Sequence, residues 1–169
     1  VWRPWLAALS SQHLYIRYDQ RGCGLSDADV RDFSLDAWVG DLEAVVDGLG
    51  LQRFPLLGMS QGGAVAIAYA LRHPERVSQL VLFGAYARGA LRRASTEAER
   101  LESQTLINLM RVGWGRDNPA FRQVFTNLFI PDGTPDQHQW WNELERLTVT
   151  PDNAARTLEA FSDIDVREL

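Results

Sequence analysis

The sequence contains no lysine: all 17 of its basic residues are arginine, which reads as a coding bias rather than as a functional signal. Cysteine is almost as scarce. Cys23 stands alone, which excludes an intrachain disulfide and fits a reducing, cytoplasmic setting. No apolar run approaches the roughly 20 residues that a membrane-spanning helix needs, and no signal peptide is visible. No membrane association is therefore expected. The basic residues are scattered along a chain of net charge −5, so this segment has no nucleic-acid-binding face. Histidine, cysteine and acidic residues do not recur at metal-ligand spacing, and neither a metal nor a cofactor is expected. What is present is ordinary: 169 residues, 46% hydrophobic and 23% charged, enough for one core. The chain opens at Val1 within Trp2-Arg3-Pro4-Trp5, without an initiator methionine. It stops at Leu169 without a terminating pattern. Both ends suggest a piece of a longer reading frame.

One stretch organises the rest. Gly58-Met59-Ser60-Gln61-Gly62 follows the apolar run Phe54–Leu57 and precedes the alanine-rich run Gly63–Leu71. Strand, sharp turn and helix are the context that makes a G-x-S-x-G match a nucleophile elbow. The turn is expected to hold Ser60 in a strained backbone conformation, at a cost of about 1–3 kcal/mol. Gly58 and Gly62, lacking Cβ, are expected to let strand and helix pack close around it. The Ser60 hydroxyl would then stand at a helix N-terminus, where the Gln61 amide could bind a developing oxyanion.

Around this stretch the chain reads in order. Pro4–Ser11 looks like the tail of a helix with Trp5, Leu6 and Leu9 on its apolar face. His13–Tyr18 is β-prone and predicts a strand. It runs into Asp19-Gln20-Arg21-Gly22-Cys23-Gly24-Leu25-Ser26, a tight turn. Gly22-x-Gly24 lacks the third glycine and the following helix of a dinucleotide fingerprint. Asp19 and Arg21 are expected to build the turn through side-chain hydrogen bonds and an ion pair. Ser34 can cap a helix whose apolar positions run from Leu35 to Leu49, ended by Gly48 and Gly50. After the elbow helix, broken at His73-Pro74, Gln79–Gly84 reads as a buried-type strand. Alternating strands and helices imply an α/β class with a parallel sheet over residues 1–85.

Beyond Arg88 the signals are helical. Thr96 with Glu99 forms a possible capping box before Leu101–Val112. Asn118-Pro119, Thr134-Pro135 and Thr150-Pro151 each place a cap before a proline at the first helical position. We expect residues 86–162 to form an inserted helical subdomain, with residues 163–169 returning to the first unit. Its aromatic residues (Trp114, Phe121, Phe125, Phe129, Trp140, Trp141 and Phe161) together suit an apolar substrate pocket, while any one of them is expected rather in the subdomain's own core.

With these segments in view, the sequence resembles the α/β-hydrolase superfamily, of the serine-nucleophile type with a helical cap. Three matches occur in order. Asp19–Ser26 matches the D-x-R-G-x-G-x-S turn after the family's fourth strand. Gly58–Gly63 matches the elbow after the fifth. His73–Val77 with Leu80–Phe83 looks like the approach to the sixth. Asp163–Leu169 looks like the approach to the seventh, so the likeness covers essentially the whole chain. It is greatest to bacterial serine hydrolase domains, some free-standing and some joined to regulatory modules.

The resemblance implies a Ser-His-Asp hydrolase acting on a small, apolar acyl substrate, with Ser60 as nucleophile and the Gln61 amide as one oxyanion donor. It also implies that the acid and base follow residue 169, and that the second oxyanion donor precedes residue 1. The chain would then hold a partial fold, without the first three strands and the last two. His13, His73 and His138 are not expected to reach Ser60 as a base, and His138 is expected on a solvated helix face. Cys23, with no basic neighbour in sequence, is not expected to be a nucleophile. A non-catalytic ligand-sensing domain is the alternative of a different class. Haloperoxidase-like or carbon–carbon bond-cleaving chemistry would keep the elbow. The resemblance further implies that His13–Tyr18 lacks a direct partner strand in this chain.

Overall fold

Local start and stop signals account for most of the elements. The structure is a computed structural model that describes residues 2–169. It opens with α1 (Arg3–Ser10), whose proline lies in the first turn, where a missing N–H costs nothing. Next comes α2 (Leu35–Gly48). The Ser34 hydroxyl accepts from the Ala37 amide, and Gly50 at φ +64° follows the helix. β1 (Phe54–Met59), α3 (Gly62–Arg72) and β2 (Val77–Phe83) form a strand–helix–strand unit. Its two strands pair in parallel, from Phe54 beside Val77 to Met59 beside Phe83. A short turn of helix, α4 (Ala90–Arg93), precedes α5 (Glu97–Gly113), α6 (Pro119–Phe129), α7 (Pro135–Thr148) and α8 (Pro151–Ser162).

The four long helices begin where capping chemistry places them. Thr96 and Glu99 form a complete capping box on α5, and Thr134 and Gln137 form one on α7. The Asn118 side chain accepts from Ala120, and the Thr150 hydroxyl from Asn153.

Two predicted features do not form as expected. His13–Tyr18 is an extended, exposed segment and not a strand; among the described residues its backbone finds no neighbouring strand to pair with. β-propensity without a hydrogen-bonding partner does not make a sheet. The second correction concerns the strand read as buried. β2 leaves Leu80 38%, Val81 50%, Leu82 46% and Phe83 49% exposed. Its composition is that of a strand covered on both faces, but the sheet has only two strands among the described residues; Trp5 of α1 meets Phe83 edge-on at 5.0 Å.

The core lies on the other side. Trp38, Val39, Leu42 and Val46 of α2 meet Ala64, Val65, Ala68 and Tyr69 of α3. Phe161 of α8 completes this cluster by stacking on Trp38, with ring centroids 4.0 Å apart and planes 3° from parallel. A second cluster gathers Met110 and Trp114 of α5, Phe125 of α6 and Ala154 of α8. α8 thus contributes to both clusters. Of the seven aromatic residues that could have lined a pocket, Trp114, Phe125 and Phe161 are buried in core, while Phe129 and Trp140 are exposed. An antiparallel bridge from Arg88 to Asp165 ties the chain's last residues to the segment after β2.

Candidate active site

The backbone at the end of β1 turns sharply. Ser60 has φ +51°, the only positive φ of a non-glycine residue among the described residues. L-residues avoid this left-handed region because Cβ crowds the carbonyl, at about 1–2 kcal/mol. Two hydrogen bonds hold the turn in place: the Ser60 amide donates to Phe83 O at 2.9 Å, and the Gly63 amide to Ser60 O at 3.0 Å. The end of β2 therefore anchors the residue that leaves β1. Ser60 is exposed, and α3 begins two residues later. The Gln61 amide, at the N-cap of α3, is engaged by no acceptor among the described residues. It sits where the helix dipole adds positive potential.

The glycines around Ser60 divide the work differently from the sequence expectation. A Cβ on Gly58 would lie 2.8 Å from both Ala66 Cβ and Gly63 Cα, so close strand–helix contact does require glycine there. A Cβ on Gly62 would meet nothing within 4 Å. The second tight position is Gly63, where a Cβ would come 2.3 Å from Ala85 Cβ. The Gly62-Gly63 doublet was the available signal, and the pattern match pointed to the wrong member. In this structure Gly62 fits the site without being needed for close packing.

The turn at Asp19–Ser26 is built structurally. Arg21 forms a two-pronged ion pair with Asp41 of α2, both contacts at 2.6 Å, and donates to Asp32 O and Ala37 O at 3.1 Å. Asp19 Oδ2 accepts from the Leu25 amide at 3.0 Å, and the Ser26 hydroxyl donates to Asp19 O at 2.6 Å. Nothing in the sequence singles out Asn153. This buried side chain donates to Gly22 O at 3.2 Å and Ala28 O at 2.8 Å, so α8 is clamped to the loop. Arg156, one turn on, reaches Val30 O at 2.9 Å. Cys23 is half-buried. Burial and the neighbouring Asp19 carboxylate push its thiol pKa up, against a smaller opposing pull from the Gly24 amide, which disfavours the thiolate a nucleophile needs.

Each histidine with structural partners is engaged away from Ser60. His73 Nε2 lies 2.7 Å from Glu43 Oε1, and its ring packs on Tyr69. His138 is half-buried rather than on a solvated face. Its Nε2 contacts Ile130 O at 3.0 Å and its Nδ1 contacts Gln123 Nε2 at 3.1 Å. That pairing assigns the hydrogen to Nε2. A groove of about 680 Å³ beside it is lined by Arg122, Gln123, His138, Asn142 and Glu143, among others, and Ser60 is not part of it. Among the described residues no three His, Cys, Asp or Glu groups lie close enough to hold a metal ion, and no helix is long and apolar enough to cross a membrane.

Comparison with known proteins adds the following. A family model described as "alpha/beta hydrolase fold" matches residues 1–163. A protein of Azorhizobium caulinodans, provisionally named carbamate hydrolase RutD, is 34% identical over 102 residues, 59% of this chain and 38% of that one. A 2-hydroxymuconate semialdehyde hydrolase of Pseudomonas sp. is 40% identical over 85 residues, 49% of this chain and 30% of that one. The esterase of Exiguobacterium antarcticum superposes with a TM-score of 0.71 at 27% identity, over 89% of this chain and 56% of that structure. The matches thus span about a third of these curated relatives and just over half of the solved esterase.

Proposed function

The chain belongs to the α/β-hydrolase fold family, and from that membership we propose that it carries the nucleophile of a hydrolase acting on a carboxylic ester or similar acyl substrate. The backbone of Ser60 is the observation that carries this reading: a serine held at φ +51°, exposed, at the start of α3. A strained, exposed serine persists where the surrounding structure holds it for a purpose. Ser60 Oγ attacks the acyl carbonyl and gives up its proton to a base. The resulting oxyanion accepts a hydrogen bond from the Gln61 amide, one donor of a kind typically worth 10²–10³ in rate. Collapse expels the leaving group and forms an acyl-enzyme, which water then hydrolyses.

In this reading residues 86–162 cap the site and shape an apolar substrate pocket. The acid, the base and the second oxyanion donor are to be sought in sequence outside this chain, since the Ser, acid, His order of such enzymes places the last two downstream. The direct test is labelling by a fluorophosphonate of the protein expressed from its complete reading frame. Labelling that disappears in Ser60→Ala is the expected result. Absence of labelling in the wild-type protein would overturn the reading and favour a ligand-sensing domain. Likeness to the Pseudomonas 2-hydroxymuconate semialdehyde hydrolase supports a second reading, hydrolysis of a carbon–carbon bond next to a carbonyl by the same serine. Turnover of a diketone but not of aryl esters would favour it.

A further inference from the structure

Glu145 of α7 is 2% exposed, yet neither of its carboxylate oxygens has a hydrogen-bond partner among the described residues. An ionised carboxylate in such a place is costly, and the neutral acid is favoured instead. Burial pushes the Glu145 carboxyl up to about 7, and the opposing pulls of the Trp141 indole, the Arg122 guanidinium and the Thr126 hydroxyl do not outweigh it. The surroundings are themselves short of partners. Trp141 Nε1, Trp114 Nε1 and Arg122 Nε are buried without hydrogen-bond partners among the described residues, and the Thr126 hydroxyl is committed to Asn142 at 2.5 Å.

The element carrying Glu145 meets α5 and the turn after it at a few defined points. α6 and α7 pack on each other; Phe125 joins them to α5 by its edge-on contact with Trp114, at 5.2 Å, Phe121 lies so close to Gly113 that a Cβ there would come 2.5 Å from its ring, and the α7 backbone at Glu145 and Arg146 lies against Gly115. Beyond that, the Gly24 amide donates to Thr148 O at 2.6 Å. The nearby charges are mostly engaged elsewhere. Glu143 pairs with Arg146 on α7, while Arg111 of α5 pairs with Glu159 of α8. Asp117, in the turn before α6, faces Arg146. Arg122 is the charged side chain of α6 that acts on Glu145.

We propose that the α6–α7 hairpin is a proton-operated latch: it stays docked on α5 while Glu145 is neutral and is released when Glu145 ionises. The sign follows from linkage. The folded pKa lies above the ordinary carboxyl value, so the docked state binds the extra proton. Docking is strongest below about pH 4.5, weakens as pH rises and levels off above about pH 7. Release depends on packing alone, and only its effect on turnover rests on the reading of Ser60.

Hydrogen exchange on the protein from its complete reading frame tests this, comparing residues 119–148 with α2 and α3. After correction for intrinsic exchange, protection of 119–148 should fall about tenfold between pH 6 and pH 8 relative to α2 and α3. The near-isosteric Glu145→Gln should flatten that dependence. His138 is the other side chain of the hairpin of a type that titrates near neutrality, and His138→Gln should leave the fall intact. A wild-type profile without the fall would overturn the proposal without any variant. So would a fall that survives in Glu145→Gln and vanishes in His138→Gln. Fluorophosphonate labelling of Ser60 is read separately, so the two ideas can fail independently.

Discussion

At the scale of single residues, the turn at Ser60 makes two separable claims. The first is strain. A glycine at φ +51° would be relaxed, whereas alanine keeps the Cβ that crowds the carbonyl. Ser60→Gly should therefore be more stable than Ser60→Ala by about 1 kcal/mol in a denaturant titration, with both variants unlabelled by fluorophosphonate. Equal stabilities would show that the surroundings do not impose the left-handed conformation. The second claim is crowding. Gly58→Ala forces a methyl against Ala66 and the backbone of Gly63 and should cost about 1–3 kcal/mol. Gly62→Ala meets open space at the first position of α3 and should be neutral or stabilising by up to about 1 kcal/mol. Chemical denaturation of the pair distinguishes a glycine needed for packing from one that only completes a pattern.

At the scale of elements, α8 is the tie between the two halves of the chain. Phe161 stacks on Trp38 while Asn153 bonds two carbonyls of the loop before α2. Asn153→Ala would leave Gly22 O without a donor and Ala28 O with the Val30 amide alone, and should lower stability by about 1–3 kcal/mol by thermal or chemical denaturation. A change below 0.5 kcal/mol would mean that water replaces the amide. The helices were readable because their signals are local. Ser34, Thr96, Asn118, Thr134 and Thr150 each sit within three residues of the amide they cap. The clamp was not readable, because Asn153 acts across more than 120 residues of sequence. Glu145 left a faint trace. It lies four residues after Trp141, on the inward side of α7, but a buried glutamate is too rare for that spacing to announce it. His13–Tyr18 shows the converse. Its residues carry β-propensity, while pairing is a property of neighbours that propensity cannot supply.

At the scale of the whole molecule, the arrangement is lopsided. Parallel sheets occur almost only with both faces covered, because each strand is apolar on both sides. Here β1 and β2 pair only with each other among the described residues, and β2 presents Leu80 through Phe83 to solvent. The β-prone residues of the extended segment are exposed as well, with Leu14 at 87%. A two-stranded sheet has little independent stability, and exposed apolar strands favour association. The α2–α3–α8 cluster, by contrast, closes on itself with Val39, Ala64 and Tyr69 at 0% exposure. A polypeptide of residues 1–169 alone should therefore keep helical far-ultraviolet signal, bind a hydrophobic dye and associate, without a cooperative melt as a monomer. The protein from its complete reading frame should melt in one sharp transition and bind no dye. Circular dichroism with light scattering checks both. A 169-residue monomer that melted cooperatively would show that the helical cluster sustains the fold without further strands. The exposed face of β2 would then be a genuine surface of the protein, not one that calls for a cover.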